Sequence, residues 1–228
     1  MSLRAVAILF LALAAAVRVA AAELLPGRTA VVCAADAPGT TAFAATELTN
    51  FLARVLGAPV PLVREPTGGR SSIVLGANAW SAAAGVSTNG LPRDAFRIRS
   101  RNGDVFIAGV DADVDLARLV ARGARATPPC GTLYGVYEFL ERFAGVRFYL
   151  PGELGTVVPR RGRIEAPAQD LEIAPRDGGS MDIGFRFATP RHPPLSGREE
   201  KWYTREPLAD AGVPCGDSGF FKGKRFST

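Results

Sequence analysis

The tightest constraint in this sequence is the pair Asn102-Gly103, set between two apolar runs. Phe96-Arg97-Ile98-Arg99 alternates apolar and polar side chains, the pattern of a half-buried strand. Val105 to Val110 returns as its partner. Asn-Gly suits a two-residue hairpin turn, because both central residues of that turn take positive φ. A chain with this hairpin must build a sheet that contains at least one antiparallel pair.

The surroundings of the hairpin read as further layers. Thr29 to Cys33 is a short apolar strand. Pro38-Gly39-Thr40-Thr41 starts a helix, with a threonine available as N-cap. Ala44, Leu48, Phe51, Leu52, Val55 and Leu56 recur at helical spacing, and Gly57 stops the run as a left-handed cap. Val60 to Val63 and Ser72 to Gly76 read as strands, and Asn78 to Pro92 as an irregular connection. A second helix is expected from Thr132 to Ala144, with Leu133, Val136, Tyr137, Leu140 and Phe143 buried and Glu138, Glu141 and Arg142 nearer solvent. Gly145 ends it, and Val146 to Tyr149 is a short strand before the Pro151-Gly152 turn. This order predicts an α+β fold, a mixed β-sheet with two main helices packed on it. No glycine-rich phosphate loop follows any strand, which argues against a doubly wound nucleotide fold.

The N-terminus is read apart from this domain. Arg4 precedes an unbroken apolar run from Ala5 to Val17, and Ala20-Ala21-Ala22 supplies small residues for a peptidase. Residues 1–22 therefore read as a secretory signal peptide cut before Glu23, and the localisation expected is secreted or periplasmic. An uncleaved anchor is the alternative, although a spanning helix needs about 20 apolar residues. Residues 23–170 form the expected domain, and 171–228 an irregular tail.

Of the 228 residues, 27 are Lys or Arg against 22 acidic ones, and the lysines are confined to Lys201, Lys222 and Lys224. Nucleic-acid binding needs a basic stripe with interleaved aromatics. The nearest candidate, Arg160-Arg161-Gly162-Arg163, reads as a solvated loop, so no nucleic-acid partner is expected. Cys33, Cys130 and Cys215 are too scattered for a disulfide framework or a zinc knuckle. A Cys33–Cys130 bridge and buried free thiols both remain open.

One longer run carries a family resemblance. Gly131-Thr132-Leu133-Tyr134-Gly135-Val136-Tyr137-Glu138-Phe139-Leu140-Glu141 is followed by Gly145-Val146-Arg147-Phe148-Tyr149, Pro151-Gly152-Glu153 and Val157-Val158-Pro159. This resembles the N-terminal domain of bacterial alpha-glucuronidases and the equivalent non-catalytic domain of beta-hexosaminidases, closest to large secreted proteins with an uncharacterised glycosidase-like barrel. Ala44 to Leu48, Pro59 to Pro61, Ile73 to Gly76 and Phe96 to Asp111 follow in the family's order, so the resemblance covers roughly residues 28–170. It implies a domain that is not itself the catalyst. The chemistry would belong to a following barrel, with Gly184 to Phe187 as a candidate first barrel strand and Trp202, Tyr203 and Arg205 faintly similar to the next segment.

The candidate site residues divide by chemistry. Ordinary glycoside hydrolysis needs two carboxyl groups facing one another across the bond. Glu138 and Glu141 share a helical side but read as an exposed acidic face. Glu153 follows a Pro-Gly turn and is a weak candidate for contact with sugar or a barrel loop. Asp111, Asp113 and Asp115 offer a calcium-loop reading, yet lack its glycine and distal glutamate, so helix-starting acids are the preferred reading. His192 is the lone histidine, and Ser180 and Ser196 lie in no nucleophile elbow. Arg122, Arg125 and the helix start at Thr132 form a weak candidate anion site, suited to a uronic-acid carboxylate.

The expected function is thus an accessory domain of a secreted glycoside hydrolase-like protein acting on polysaccharide. No catalytic residue, metal or cofactor is expected within it. Tyr137, Phe139, Phe143, Phe148 and Tyr149 are expected to supply helix–sheet and interdomain packing. The second reading is an exported carbohydrate-binding or protein-interaction module without hydrolysis.

Overall fold

The computed structural model describes residues 21–121, 128–149 and 153–174. Its strands are β1 (Ala22–Leu24), β2 (Thr29–Cys33), β3 (Leu62–Val63), β4 (Ser71–Leu75), β5 (Phe96–Arg101), β6 (Asp104–Gly109), β7 (Arg147–Phe148), β8 (Thr156–Val157), β9 (Ile164–Ala166) and β10 (Asp170–Ile173). The helices are α1 (Gly39–Leu56), α2 (Ala79–Ala83), α3 (Leu116–Ala121) and α4 (Gly131–Phe139), the last continued by a π-helical turn, Leu140–Ala144. None of the described helices is long and apolar enough to cross a membrane.

The main sheet runs β10-β5-β6-β4-β2-β3. Strands β3, β2, β4 and β6 are parallel, while β5 lies antiparallel between β6 and β10. Asn102 and Gly103 take φ of 54° and 85°, as a tight hairpin turn requires. The fold is the expected mixed sheet with two main helices on it.

Alternate residues of the central strands serve two cores. Val31, Cys33, Ile73, Leu75, Val105 and Ile107 face α1 and α4, while Val32, Val74, Phe106 and Ala108 pack with Ala84 and Val86 on the other face. Burial on both sides explains the consecutive apolar residues Ala30 to Cys33 in β2 and Ile73 to Leu75 in β4. Helix α1 buries the predicted stripe, and Gly57 closes it at φ 70°. Its start differs from expectation. Pro38 is the N-cap and makes no side-chain cap bond. The first amides are instead capped from another segment: Gly39 N–H donates to Asp113 Oδ1 (3.1 Å) and Thr40 N–H to the Ala112 carbonyl (3.2 Å).

Helix α4 is buried on more sides than one stripe predicts. Tyr134 and Phe139 are enclosed along with Leu133, Val136, Tyr137 and Leu140. At the far end a third neighbour contributes, because β9, paired with β1, packs against the π-helical turn. Tyr137 donates to Glu47 Oε2 across the α1–α4 contact (3.2 Å) and meets Phe148 edge-on at 5.4 Å. Two glycines let α4 lie against the sheet. A Cβ at Gly131 would stand 2.3 Å from the Ala95 carbonyl oxygen, and one at Gly135 would stand 2.5 Å from Ile107 Cγ2.

Several elements depart from the expected order. Helix α2 interrupts the expected irregular connection, and α3 follows the aspartate run. Strand β1 begins at Ala22, which is wholly buried, so the expected cleavage point before Glu23 falls within a paired strand. The expected domain end at 170 is the first residue of β10.

Cys33 and Cys130 are buried and free, so the bridge considered between them does not form. Burial raises the Cys33 thiol, and burial together with Asp94 pushes Cys130 up to about 12. Since the thiolate is the reactive form, both should be inert in the native protein. Peptide mapping after iodoacetamide treatment is expected to find both unmodified in the folded chain. Both should be alkylated in denaturant without reductant; protection that persists there would indicate a bridge.

Candidate functional site

The sheet topology singles out one place. After β2 the chain passes to α1 on one face; after β4 it passes to α2 on the other. Because β2 and β4 are parallel neighbours, their outgoing segments diverge. A crevice opens outside the carboxyl ends of such strands, and open α/β sheets commonly bind ligands there. Here it is a cleft of about 200 Å³, lined on one side by Ala34, Asp36, Ala37 and Pro38 and on the other by Leu75 to Trp80.

The wall after β4 is held rigidly. Gly76 turns the chain at φ 81°, and its N–H donates to the Ile107 carbonyl (2.8 Å). A Cβ there would stand 2.9 Å from Thr41 Cγ2, so the backbone approaches α1 as only glycine allows. Asn78 forms a reciprocal capping box with Ser81: Oδ1 accepts from Ser81 N–H (2.9 Å), and Ser81 Oγ accepts from Asn78 N–H (2.8 Å). Its Nδ2 also donates to the Leu75 carbonyl (3.0 Å). These bonds fix the start of α2 and hence the position of Trp80. That residue is half-buried, packed against the Val32–Val74–Phe106 cluster, and lines the cleft. Asp36 is exposed and, among the described residues, supplies the one charged side chain of the lining. Neither Trp80 nor Asp36 was singled out from sequence.

The three alternate aspartates have separate tasks, as the helix-starting reading expected. Asp111 accepts from Thr41 Oγ1 (2.9 Å), Thr132 Oγ1 (2.5 Å) and Thr132 N–H (3.1 Å), joining the first turns of α1 and α4. Asp113 caps α1, and Asp115 Oδ1 accepts from Arg118 N–H at the start of α3 (2.9 Å). No cluster of three or more metal-ligating side chains occurs among the described residues. Burial raises the Asp111 carboxyl above its ordinary value, against the opposing pull of these donors. The amide at the start of α4, considered for a ligand carboxylate, is thus occupied by Asp111.

The other sequence candidates are dispersed. Arg122 and Arg125 lie outside the described residues, as do Ser180, His192, Ser196, Cys215 and the segment compared with a barrel strand. Glu153 opens a short 3₁₀ turn, Glu153–Gly155. Glu138 is held by Arg142 in an i,i+4 ion pair (2.6 Å). The basic run is exposed, as expected, but it also has a structural place. Arg161 N–H donates to the Val55 carbonyl (2.6 Å), Arg160 lies beside Gly57, and Arg161 lies beside Gly145. Cations at the ends of α1 and the π-helical turn complement the helix dipoles.

Of the aromatics expected to pack, Tyr137, Phe139 and Phe148 are buried, Phe143 is partly buried, and Tyr149 is 65% exposed. Tyr149 lies with the exposed Leu154 and Val157 on the β7–β8 hairpin, closed by Tyr149 N–H to the Gly155 carbonyl (2.7 Å).

No protein-family model matches this chain. No curated protein matches it. Among solved structures, it is similar to a family GH115 4-O-methyl-alpha-glucuronidase with specificity for decorated arabinogalactans. That match has 16% identity over 68% of this chain and 18% of the other, with a TM-score of 0.46. A GH20 beta-N-acetylhexosaminidase from Streptomyces coelicolor A3(2) matches at 15% identity over 69% of this chain and 24% of its own, with a TM-score of 0.42. A GH138 enzyme targeting pectin rhamnogalacturonan II matches at 20% identity over 50% of this chain and 10% of its own, with a TM-score of 0.32. Each likeness is distant, and the chain spans about a quarter or less of these proteins' lengths.

Proposed function

We propose that this chain is the exported, non-catalytic accessory domain of a glycoside hydrolase-like protein acting on polysaccharide, including uronic-acid-containing sugars. Its task is to support and orient a catalytic barrel. The observation that carries this reading is the β7–β8 hairpin, which leaves Tyr149, Leu154 and Val157 in solvent beside a well-packed core. Exposed apolar side chains gathered on one hairpin would be covered by a docked neighbouring domain. The run Gly131–Glu141 and its continuation to Pro159 supply independent support through their resemblance to the alpha-glucuronidase N-terminal domain. The leader at residues 1–22 supports export.

Genomic DNA downstream of the Thr228 codon tests the proposal. A continuation encoding a barrel, in frame or displaced by a frameshift, is the expected result; immediate unrelated sequence would count against it. Purified 228-residue protein is expected to release no sugar from arabinogalactan, pectin or chitin oligomers. Hydrolysis by that protein would overturn the non-catalytic assignment. The second reading, an exported carbohydrate-binding module, is favoured by one specific feature, the cleft between β2 and β4.

A further inference from the structure

We infer that the cleft at the carboxyl ends of β2 and β4 binds a single neutral pyranose ring, with Trp80 as its apolar wall and Asp36 as its hydroxyl acceptor. The position comes from topology. Two adjacent parallel strands send their chains to opposite faces of the sheet, and the gap between them remains open. The volume of about 200 Å³ suits one small ring rather than an extended cofactor.

The lining selects the ligand class. Asp36 gives the cleft a negative side chain, and among the described residues no positive one accompanies it in the lining, which disfavours phosphates and uronates. The amides of Gly39 and Thr40 do not compensate, because Asp113 and Ala112 already take them. One carboxylate is also a poor start for a calcium site, which gathers six or more oxygens. A pyranose offers the matching surfaces. Its C–H face gains dispersion contact with an indole, and its hydroxyls donate to a carboxylate. Trp80 packs against the Val32–Val74–Phe106 cluster while lining the cleft, and Asn78 fixes the turn of α2 that carries it. The wall is therefore set before the ligand arrives, which reduces the ordering cost of binding.

The choice of a sugar over an organic cation, which would also accept an indole and a carboxylate, rests on the polysaccharide setting proposed above. The existence of the site does not rest on it.

The test uses the full chain carrying Trp202→Phe, so that Trp80 is its sole tryptophan fluorophore. Methyl glucoside, methyl galactoside, methyl mannoside, methyl glucuronide and choline are titrated separately. A saturable fluorescence change with at least one neutral glycoside, with Kd in the range of about 1–10 mM, is expected. Asp36→Asn should weaken that binding about tenfold, while circular dichroism remains unchanged because Asp36 is exposed. Trp80→Ala should abolish it when followed by ligand-observed NMR. No response to any neutral glycoside, tighter binding of the glucuronide, binding of choline alone, or equal binding by Asp36→Asn would each overturn the inference. Sugar binding without a downstream barrel would retain this site and remove the accessory-domain reading. A barrel without sugar binding would do the reverse.

Discussion

Gly131→Ala is expected to prevent the domain from folding, or to remove at least about 3 kcal/mol of its stability. The new Cβ would lie 2.3 Å from the Ala95 carbonyl oxygen and 2.7 Å from Val110 N. Both obstacles are backbone atoms, and both belong to segments fixed by hydrogen bonds: Gly131 N–H donates to the Val110 carbonyl (2.8 Å), and Val110 N–H to the Ala95 carbonyl (3.3 Å). No rotamer change relieves such a clash, so α4 would have to lift off β5 and β6. Gly135→Ala, one turn later, meets mainly the side chains of Ile107 and Phe96, which are able to shift. Its expected cost is about 1–3 kcal/mol. Gly162→Ala meets nothing within 4 Å and takes no positive φ, so it should stay within about 0.5 kcal/mol of the parent. Urea unfolding followed by circular dichroism ranks the three. Equal midpoints for Gly131→Ala and Gly162→Ala would show that the helix does not sit this close to the sheet.

Asp111→Ala is expected to destabilise the chain by about 3–5 kcal/mol, because three donors lose one acceptor at once. The Thr132 amide and the hydroxyls of Thr41 and Thr132 all point at this carboxylate. The Thr132 hydroxyl also accepts from Gly109 N–H (3.0 Å), so the end of β6 loosens with the two helices. Asp111→Asn retains one acceptor oxygen and offers an amide donor to a threonine hydroxyl; its cost should be smaller. The pair also separates by pH. Burial raises the folded-state value above the unfolded one. Between those two values the native state holds the proton more often, so this residue's contribution to stability declines as pH rises through the window and levels off above it. Asp111→Asn removes that decline. Unfolding free energies measured across the acid range should therefore converge toward the parent's at higher pH. A parallel offset at every pH would rule out Asp111 as the titrating group.

The legible part of the fold was the part encoded locally. Asn102-Gly103 states its own backbone geometry, and α1 declares itself through six apolar positions and the Gly57 stop. Short elements held by long-range contacts were not legible. Strands β9 and β10 have only three and four residues, and their partners lie far away in sequence at β1 and β5. Helix α2 did leave a signal, the Asn78-x-x-Ser81 spacing of a capping box, within a stretch rich in alanine and glycine that reads as loop. The roles of Asp113 and Ala112 at α1 were hidden because the helix is capped by a segment more than 70 residues away. The cleft was hidden for a similar reason. Asp36 and Trp80 belong to different connections and meet only because β2 and β4 pair in parallel.

For the exported chain proposed above, the small β1–β9 sheet bears on when a leader could be removed. A cut before Glu23 removes the Ala22–Ala166 pair and leaves Glu23–Glu165 and Leu24–Ile164 to hold that sheet. While the pair stands, the bond to be cut adjoins a side chain fully enclosed by the domain. In the exported chain proposed here, leader removal and domain closure therefore compete for the same stretch of backbone. The partner strand β9 follows β1 by most of the domain, so in such a chain a peptidase would meet β1 before its partner. A chain that closed first would shield that proposed processing site, because Ala22 is then fully enclosed.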